Sequence, residues 1–427
     1  MDTKRLENIA NKKMTRRDAL KLAGVGGIGL LVGAGGAGAI MQPKSPATNT
    51  ATSTGTGAVN GIVPFYGKHQ SGIITPMQDF ICMGAFDLTA TDLADVRKLF
   101  QSWTAASARM TEGKGVDDES DNPHLPPVDT GESIGLDPMR MTITFGLGAS
   151  FFDDRFGLSS KRPAPLVDLP HFNSDDIRKE WEGGDIVVQV CANDPQVAFH
   201  AIRNLARIAR GKAVLRWVQD GFQRTSASDP AGSTPRNLMG FKDGSNNPKV
   251  SDPAAADEIV WAQSSDDPAW MAGGSYMVMR RIRMRIEIWD RSSLDDQEST
   301  FGRHRQSGAP LGKTGEFDDL ELHRKDSNGN LIVPSTSHVA LANMEGKVKI
   351  LRRGYSYSSG MDPKTGQLDA GLLFVCFNRD PRKQFIPMQQ KLAAADQLNE
   401  YITHVGSGLF ACLPGATEGG YIGDTLF

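Results

Sequence analysis

Cysteine is scarce in this sequence, with four in 427 residues. Cys82, Cys191, Cys376 and Cys412 lie far apart, without a C-x-x-C pair or a tight Cys/His cluster, which argues against a cysteine-ligated zinc or iron–sulfur centre. Three of them, Cys82, Cys191 and Cys376, sit in apolar runs, where an unpaired thiol behaves as a small buried hydrophobe. An excess of either charge is also missing: 47 Lys and Arg against 50 Asp and Glu leave a formal net charge of -3. Without a basic run or stripe there is no electrostatic footprint for nucleic acid, which is not expected as a partner. Hydrophobic residues at 39% and charged residues at 23% argue against a disordered, fibrous or multi-span membrane chain. What remains is a globular protein long enough for two domains or one large one.

The N-terminus reads as an address. Met14-Thr15-Arg16-Arg17-Asp18-Ala19-Leu20-Lys21 precedes an uncharged stretch from Leu22 to Met41, with small residues at Ala37-Gly38-Ala39. This is the pattern of a twin-arginine export signal over residues 1–42. The uncharged stretch is long enough to span a membrane, but its eight glycines lower both its hydrophobicity and its helix propensity. The expectation is therefore a cleaved signal, no integral span afterwards, and a periplasmic, extracellular or envelope location. That route generally carries proteins already folded, often around a cofactor. Residues 43–60, rich in Ser, Thr, Ala, Gly and Pro, cannot bury enough apolar surface to order themselves and read as a flexible tether.

The rest of the chain alternates strand and helix patterns. Apolar runs of strand length at Gln78–Asp87, Asp185–Cys191 and Gly371–Phe377 are each followed by helical spacing, at Thr91–Trp103, Asp194–Arg210 and Pro381–Leu392 continuing to Tyr401. Ser275–Trp289 reads as a long strand before a helix at Ser292–Phe301, while Met141–Phe145 and Val214–Val218 come without crossover helices. Two strand–helix pairs per half predict an α+β fold of two ferredoxin-like halves, with antiparallel sheets flanked by helices. The halves are residues 61–225 and 226–427, with the seam in the turn-rich Thr225–Asn237. Glu112–Glu132 reads as an acidic, proline-rich surface loop with solvated carboxylates.

Three segments carry residues that could do chemistry. Gly240-Phe241-Lys242-Asp243-Gly244-Ser245-Asn246-Asn247-Pro248 taken alone is a tight turn. His338, one of eight histidines, opens an apolar stretch; as an iron ligand it would need a neutral imidazole oriented through its other ring nitrogen. Arg352 and Arg353 are adjacent in Leu351-Arg352-Arg353-Gly354-Tyr355-Ser356-Tyr357 and would point to opposite faces of an extended segment, so only one can face a given pocket.

Together, and in this order, the three segments resemble the dye-decolourising peroxidase family, close to its secreted bacterial branch that includes iron-uptake deferrochelatases. The resemblance takes in nearly the whole mature chain, including Val63–Gln70, Asp185–Trp217, Gly240–Pro248, Arg280–Leu311 and His338–Phe377. It implies haem b held in the C-terminal half, with His338 as proximal iron ligand and Asp243 as distal acid–base residue. Arg352 becomes the distal partner of Asp243, with Arg353 as the neighbouring alternative near the cofactor. Asp396 would be the carboxylate partner of His338, and Phe374 an apolar residue above the haem. Some branches carry an asparagine two residues after the distal arginine; this chain has Gly354 there.

Such a set suits peroxide cleavage. A base must take the first proton, an acid must return it to the departing oxygen, and positive charge must stand beside that oxygen. A carboxylate, with an ordinary pKa of about 3.9, remains a base in mildly acidic solution where histidine would be protonated. The implied activity is reduction of hydrogen peroxide and oxidation of phenolic or dye-like reductants through a high-valent iron intermediate. Bulky reductants would need a relay, for which Tyr355, Tyr357, Trp217 and Trp289 are candidates if they are not simply core. The alternative is a deferrochelatase that takes haem as substrate, releases its iron with the porphyrin intact, and works with iron-uptake components. A homo-oligomer is left open.

Overall fold

The computed structural model describes residues 61–427 apart from 174 and 267. The predicted signal and tether lie outside the described residues. The first half runs β1 (Phe80–Leu88), α1 (Leu93–Thr111), β2 (Thr142–Gly148), β3 (Ile186–Ala192), α2 (Pro195–Ile208) and β4 (Ala213–Phe222). Both helices start where sequence chemistry places them. Asp92 caps α1 by accepting from Asp95 N, and Asp194 caps α2 from Gln196 N and Val197 N with proline in the first turn. α2 then buries Val197, Ala201 and Leu205 on one face, and every residue of β3 is buried. These strands pair in the order β2-β3-β1-β4, antiparallel throughout.

The second half repeats the pattern with β5 (Ser275–Met284), α3 (Leu294–Phe301), α4 (His338–Ala342), β6 (Leu351–Arg352), β7 (Tyr355–Met361), β8 (Leu368–Asn378), α5 (Phe385–Ala395) and β9 (Ile402–Cys412). β5 lies between β9 and β8, and β7 and β6 both pair with β8, again antiparallel. The α+β class holds. The two runs, however, do not stay separate sheets: β2 pairs with β9 through Gly146–Gly148, β4 meets β7 at Phe222↔Ser356, and β5–β8 completes a closed ring. Closure covers most of the sheet edges that two separate units would expose, leaving the short β6 with an unpaired edge. It also demands close approach. A Cβ on Gly371 would come within 1.9 Å of the Ile282 carbonyl oxygen on β5, so only glycine lets β8 lie there.

Three predicted boundaries move. α1 continues two turns beyond Trp103 to Thr111. β5 ends at Met284 rather than Trp289, giving way to a short helix at Ile286–Trp289. The helix predicted to reach Tyr401 breaks at Asp396, whose extended backbone ends α5 and whose side chain caps a 3-10 turn at Gln397–Glu400 by accepting from Leu398 N. The acidic loop also departs from expectation at one residue. Asp129 is buried and accepts from Val116 N, Gly131 N and His200 Nε2 (2.8 Å), while His200 Nδ1 meets Ser133 Oγ at 3.0 Å. With His200 only 2% exposed, the cluster pins the loop to α2.

Packing follows the two faces of the sheet. α1 and α2 cover one face with Phe100, Trp103, Phe145, Val188 and Leu205. Met83, Val187, Met279, Tyr355, Val375 and Phe410 fill the other. A smaller cluster, with Phe241, Trp289, Phe301, Leu398 and Tyr401, underlies the segments singled out by sequence. All four cysteines are free and buried, and among the described residues no helix is long and apolar enough to cross a membrane.

Candidate active site

Strand alternation decides which arginine faces where. β6 pairs with β8 at Leu351↔Phe377 and Arg352↔Cys376, so Arg352 shares the face of Leu372 and Phe374. Arg353 takes the opposite face, where it is buried and donates to Thr75 O (2.5 Å) and to Gln78 Oε1. The structure thus brings Arg352 to Asp243, Nη1 to Oδ1 at 2.5 Å, and does not bring Arg353 there. Asp243, Arg352, Phe374, Leu372 and Asn247 line one cavity of about 700 Å³.

The loop 240–248 is held so that Asp243 reaches this cavity. Asp243 N donates to Pro235 O (2.8 Å), and Lys242 Nζ and Ser245 Oγ, on either side of Asp243, both engage Glu316. Phe241 turns the other way and stacks on Phe301, ring centroids 4.1 Å apart. Phe301 in turn meets the His338 ring edge-on at 6.2 Å, a chain of rings running from the Asp243 loop to His338.

His338 is the first residue of α4. Its Nδ1 bonds to Asp396 Oδ2 at 2.7 Å, and the other Asp396 oxygen accepts from Leu398 N at 2.9 Å. The break in α5 is therefore what aims the carboxylate. His338 does not line the 700 Å³ cavity, yet 31% of its side chain is accessible while Asp396 is 3% accessible. Its Nε2 has no hydrogen-bond partner among the described residues. Burial pushes the imidazole pKa down, but the charge and hydrogen bond of Asp396 outweigh it and the net shift is upward. Arg352 pushes it down and Asp243 up by smaller amounts, so the two clusters feel each other. Arg303, beside them, is lowered by burial and by Arg352.

These residues fit a haem. One imidazole nitrogen is fixed by a buried carboxylate while the other is unengaged, as a neutral histidine ligand requires. Phe374 and Leu372 supply half-buried apolar surface, and a carboxylate–guanidinium pair stands beside it. Among the described residues there is no group of three or more His, Cys, Asp or Glu able to cage a bare metal ion. The relay candidates fare differently: Tyr355, Tyr357, Trp217 and Trp289 are all buried core side chains, so none offers a surface terminus. Asn247 and Glu316 went unnoticed in the sequence; the first is masked by its turn-forming neighbours and the second lies 71 residues beyond Ser245.

Comparison with known proteins finds likeness over most of the chain. The family model Dyp-type peroxidase, N-terminal, matches residues 70–223, and Dyp-type peroxidase, C-terminal, matches residues 234–417. A deferrochelatase of Escherichia coli strain K12 is 40% identical over 395 residues, 90% of this chain and 92% of that protein. A deferrochelatase of Shigella sonnei is 39% identical over 98% of both chains. Among solved structures, the DyP-type peroxidase of Streptomyces coelicolor has a TM-score of 0.81 at 39% identity, covering 86% of this chain and 97% of that one. Ferric DtpA from Streptomyces lividans has a TM-score of 0.80 at 39% identity, with the same coverage.

Proposed function

The chain belongs to the Dyp-type peroxidase family, haem-dependent oxidoreductases that act on hydrogen peroxide, and from that premise we propose a residue-level mechanism. His338 would hold the iron of haem b, with Asp396 orienting the ring and lending it anionic character. Phe374, in the C-terminal half and in the same cavity as the Asp243–Arg352 pair, would offer the haem apolar contact. When bound, the haem supplies the redox chemistry by which peroxide is reduced and an aromatic reductant oxidised. Asp243 takes the proton from the near oxygen of peroxide and delivers it to the far oxygen, which leaves as water. Arg352 holds Asp243 and places positive charge where the leaving oxygen becomes negative. The observation that carries this reading is the 2.5 Å Arg352–Asp243 pair in a cavity shared with Phe374.

The same reading extends to the whole chain. The repeated four-strand order and the two family models, meeting between residues 223 and 234, support two ferredoxin-like halves, 61–225 and 226–427, after a 1–42 signal and a 43–60 tether. Export by the twin-arginine route to the periplasm or cell exterior rests on Arg16-Arg17 and the glycine-rich stretch after it. Phenolic or dye-like reductants are the substrates that family membership suggests for this site. The test is peroxide-dependent oxidation by the haem-loaded protein: it is lost in Asp243→Asn, and undiminished turnover in that variant contradicts the assignment.

A second reading is favoured by the relatives named deferrochelatase. Haem would then be substrate, giving up its iron to an uptake system. Incubation of the protein with haem and chromatography of the pigment separates the readings, since free protoporphyrin supports iron release and intact haem alone contradicts it.

A further inference from the structure

β6 is two residues long and touches the sheet only through β8. The hydrogen bond Arg353 N to Val375 O at 2.7 Å and the Arg352↔Cys376 pairing place the N–H and C=O of Arg352 on the edge facing away from β8. No strand covers that edge. Instead the side-chain amide of Asn247 does: Arg352 N donates to Asn247 Oδ1 at 2.9 Å, and Asn247 Nδ2 donates to Arg352 O at 2.8 Å. One planar amide, with a donor and an acceptor, stands in for a strand rung.

The same asparagine is tied to the Asp243 loop, since its own N–H donates to Gly244 O at 2.9 Å. The bonds form a closed circuit: Asp243, the turn at 244–247, the Asn247 amide, the Arg352 peptide, and the Arg352 guanidinium back to the Asp243 carboxylate. We propose that Asn247 is a positioning residue for peroxide chemistry, fixing the Arg352 peptide so that its guanidinium meets Asp243. This rests on the reading of Asp243 and Arg352 as the acid–base pair. Neither Asp nor Gln can replace it fully. Asp keeps the acceptor for Arg352 N–H but lacks the donor, and Gln is one methylene too long for the same turn. Glu316 holds the loop from its other side through Lys242 and Ser245 but has no bond to Arg352, so it cannot perform this task.

The experiment compares Asn247→Ala, Asn247→Asp and Asp243→Asn with the unaltered chain. In the haem-free protein, hydrogen–deuterium exchange of the segment 350–354 should speed up in Asn247→Ala, because the Arg352 amide loses its acceptor. It should change little in Asn247→Asp. In the haem-loaded protein, Asn247→Ala should keep its Soret absorption and its KM for the reductant while kcat/KM for peroxide falls at least about tenfold, as expected when a reacting group is misplaced. Asn247→Asp should fall between. Peroxide kcat/KM within twofold of the unaltered chain in both Asn247 variants, alongside a disabled Asp243→Asn, overturns the role of Asn247 alone. Full turnover in Asp243→Asn overturns the acid–base reading and this inference with it. If Asn247→Ala does not fold, the Asn247→Asp comparison decides by the same criterion.

Discussion

Replacing Asp396 by Asn removes one charge and one acceptor from the partner of His338, and the structure permits the cost to be worked out. Asp396 uses both oxygens, Oδ2 on His338 Nδ1 at 2.7 Å and Oδ1 on Leu398 N at 2.9 Å, and is almost fully enclosed. Asparagine has a single acceptor oxygen. If that oxygen stays on Leu398, the new amide donates toward Nδ1, drives the imidazole proton to Nε2 and blocks the nitrogen that should bind iron. If it turns to His338, the Leu398 amide is left unpaired beside an NH2 group. Loss of a hydrogen bond to a charged group costs about 1.5–3 kcal/mol, and loss of the partner that orients a metal-bound histidine costs about 10- to 100-fold in affinity or activity, which is the same range. Titration of the haem-free protein with haem, followed in the Soret band, should therefore give a dissociation constant about 10- to 100-fold weaker for Asp396→Asn. Binding within threefold of the unaltered chain, with an identical spectrum, would refute the claim that Asp396 sets the state of His338.

The two neighbouring arginines should separate cleanly in one assay. Arg352→Leu should lower peroxide kcat/KM by about 100- to 1000-fold with little change in melting temperature, whereas Arg353→Leu, which strips buried bonds to Thr75 and Gln78, should lower melting temperature; the reverse outcome contradicts the assignment. Asp362 has its pKa lowered to about 2 by its hydrogen bond from Arg178, aided by Lys364 N and Arg283. A depressed carboxylate stabilises above its ordinary range, and the contribution fades as pH falls through the folded value. The melting-temperature gap between the unaltered chain and Asp362→Asn should thus be constant near neutrality and close between about pH 4 and the folded value. A gap that is unchanged at pH 2 would contradict this. Gly371→Val should open the β5–β8 pairing, because a Cβ there collides with backbone; a loss of about 1–3 kcal/mol or more in urea unfolding is expected, and no loss would mean the ring does not close there.

Much of the local structure was legible because it is local. Asp194 marks a helix start, and the largely apolar run of β3, broken by Gln189, marks a strand. Closure of the ring was not legible, since pairings such as Met279↔Val375 join residues nearly a hundred apart and no periodicity encodes them. The end of β5 was misplaced because Ile286, Ile288 and Trp289 continue an apolar pattern that a short helix satisfies as well. The site behaved likewise. Residue chemistry alone left Asp243 in a turn and gave His338 and the two arginines no joint role; only the resemblance joined Asp243 to Arg352 across 109 residues and His338 to Asp396 across 58. Alternation along an extended segment foresaw that Arg352 and Arg353 would part, without saying which faced the pocket. Asn247 and Asp129 were hidden in segments whose composition already accounted for them as a turn and a solvated loop.

The assignment of His338 as ligand to a haem iron is tested by absorption spectra of the haem-free protein, the haem-reconstituted protein and reconstituted His338→Ala. A Soret band should appear on reconstitution and be lost or strongly altered when His338 is removed. A reconstituted spectrum identical in His338→Ala, or no haem taken up by the unaltered chain, would contradict the assignment.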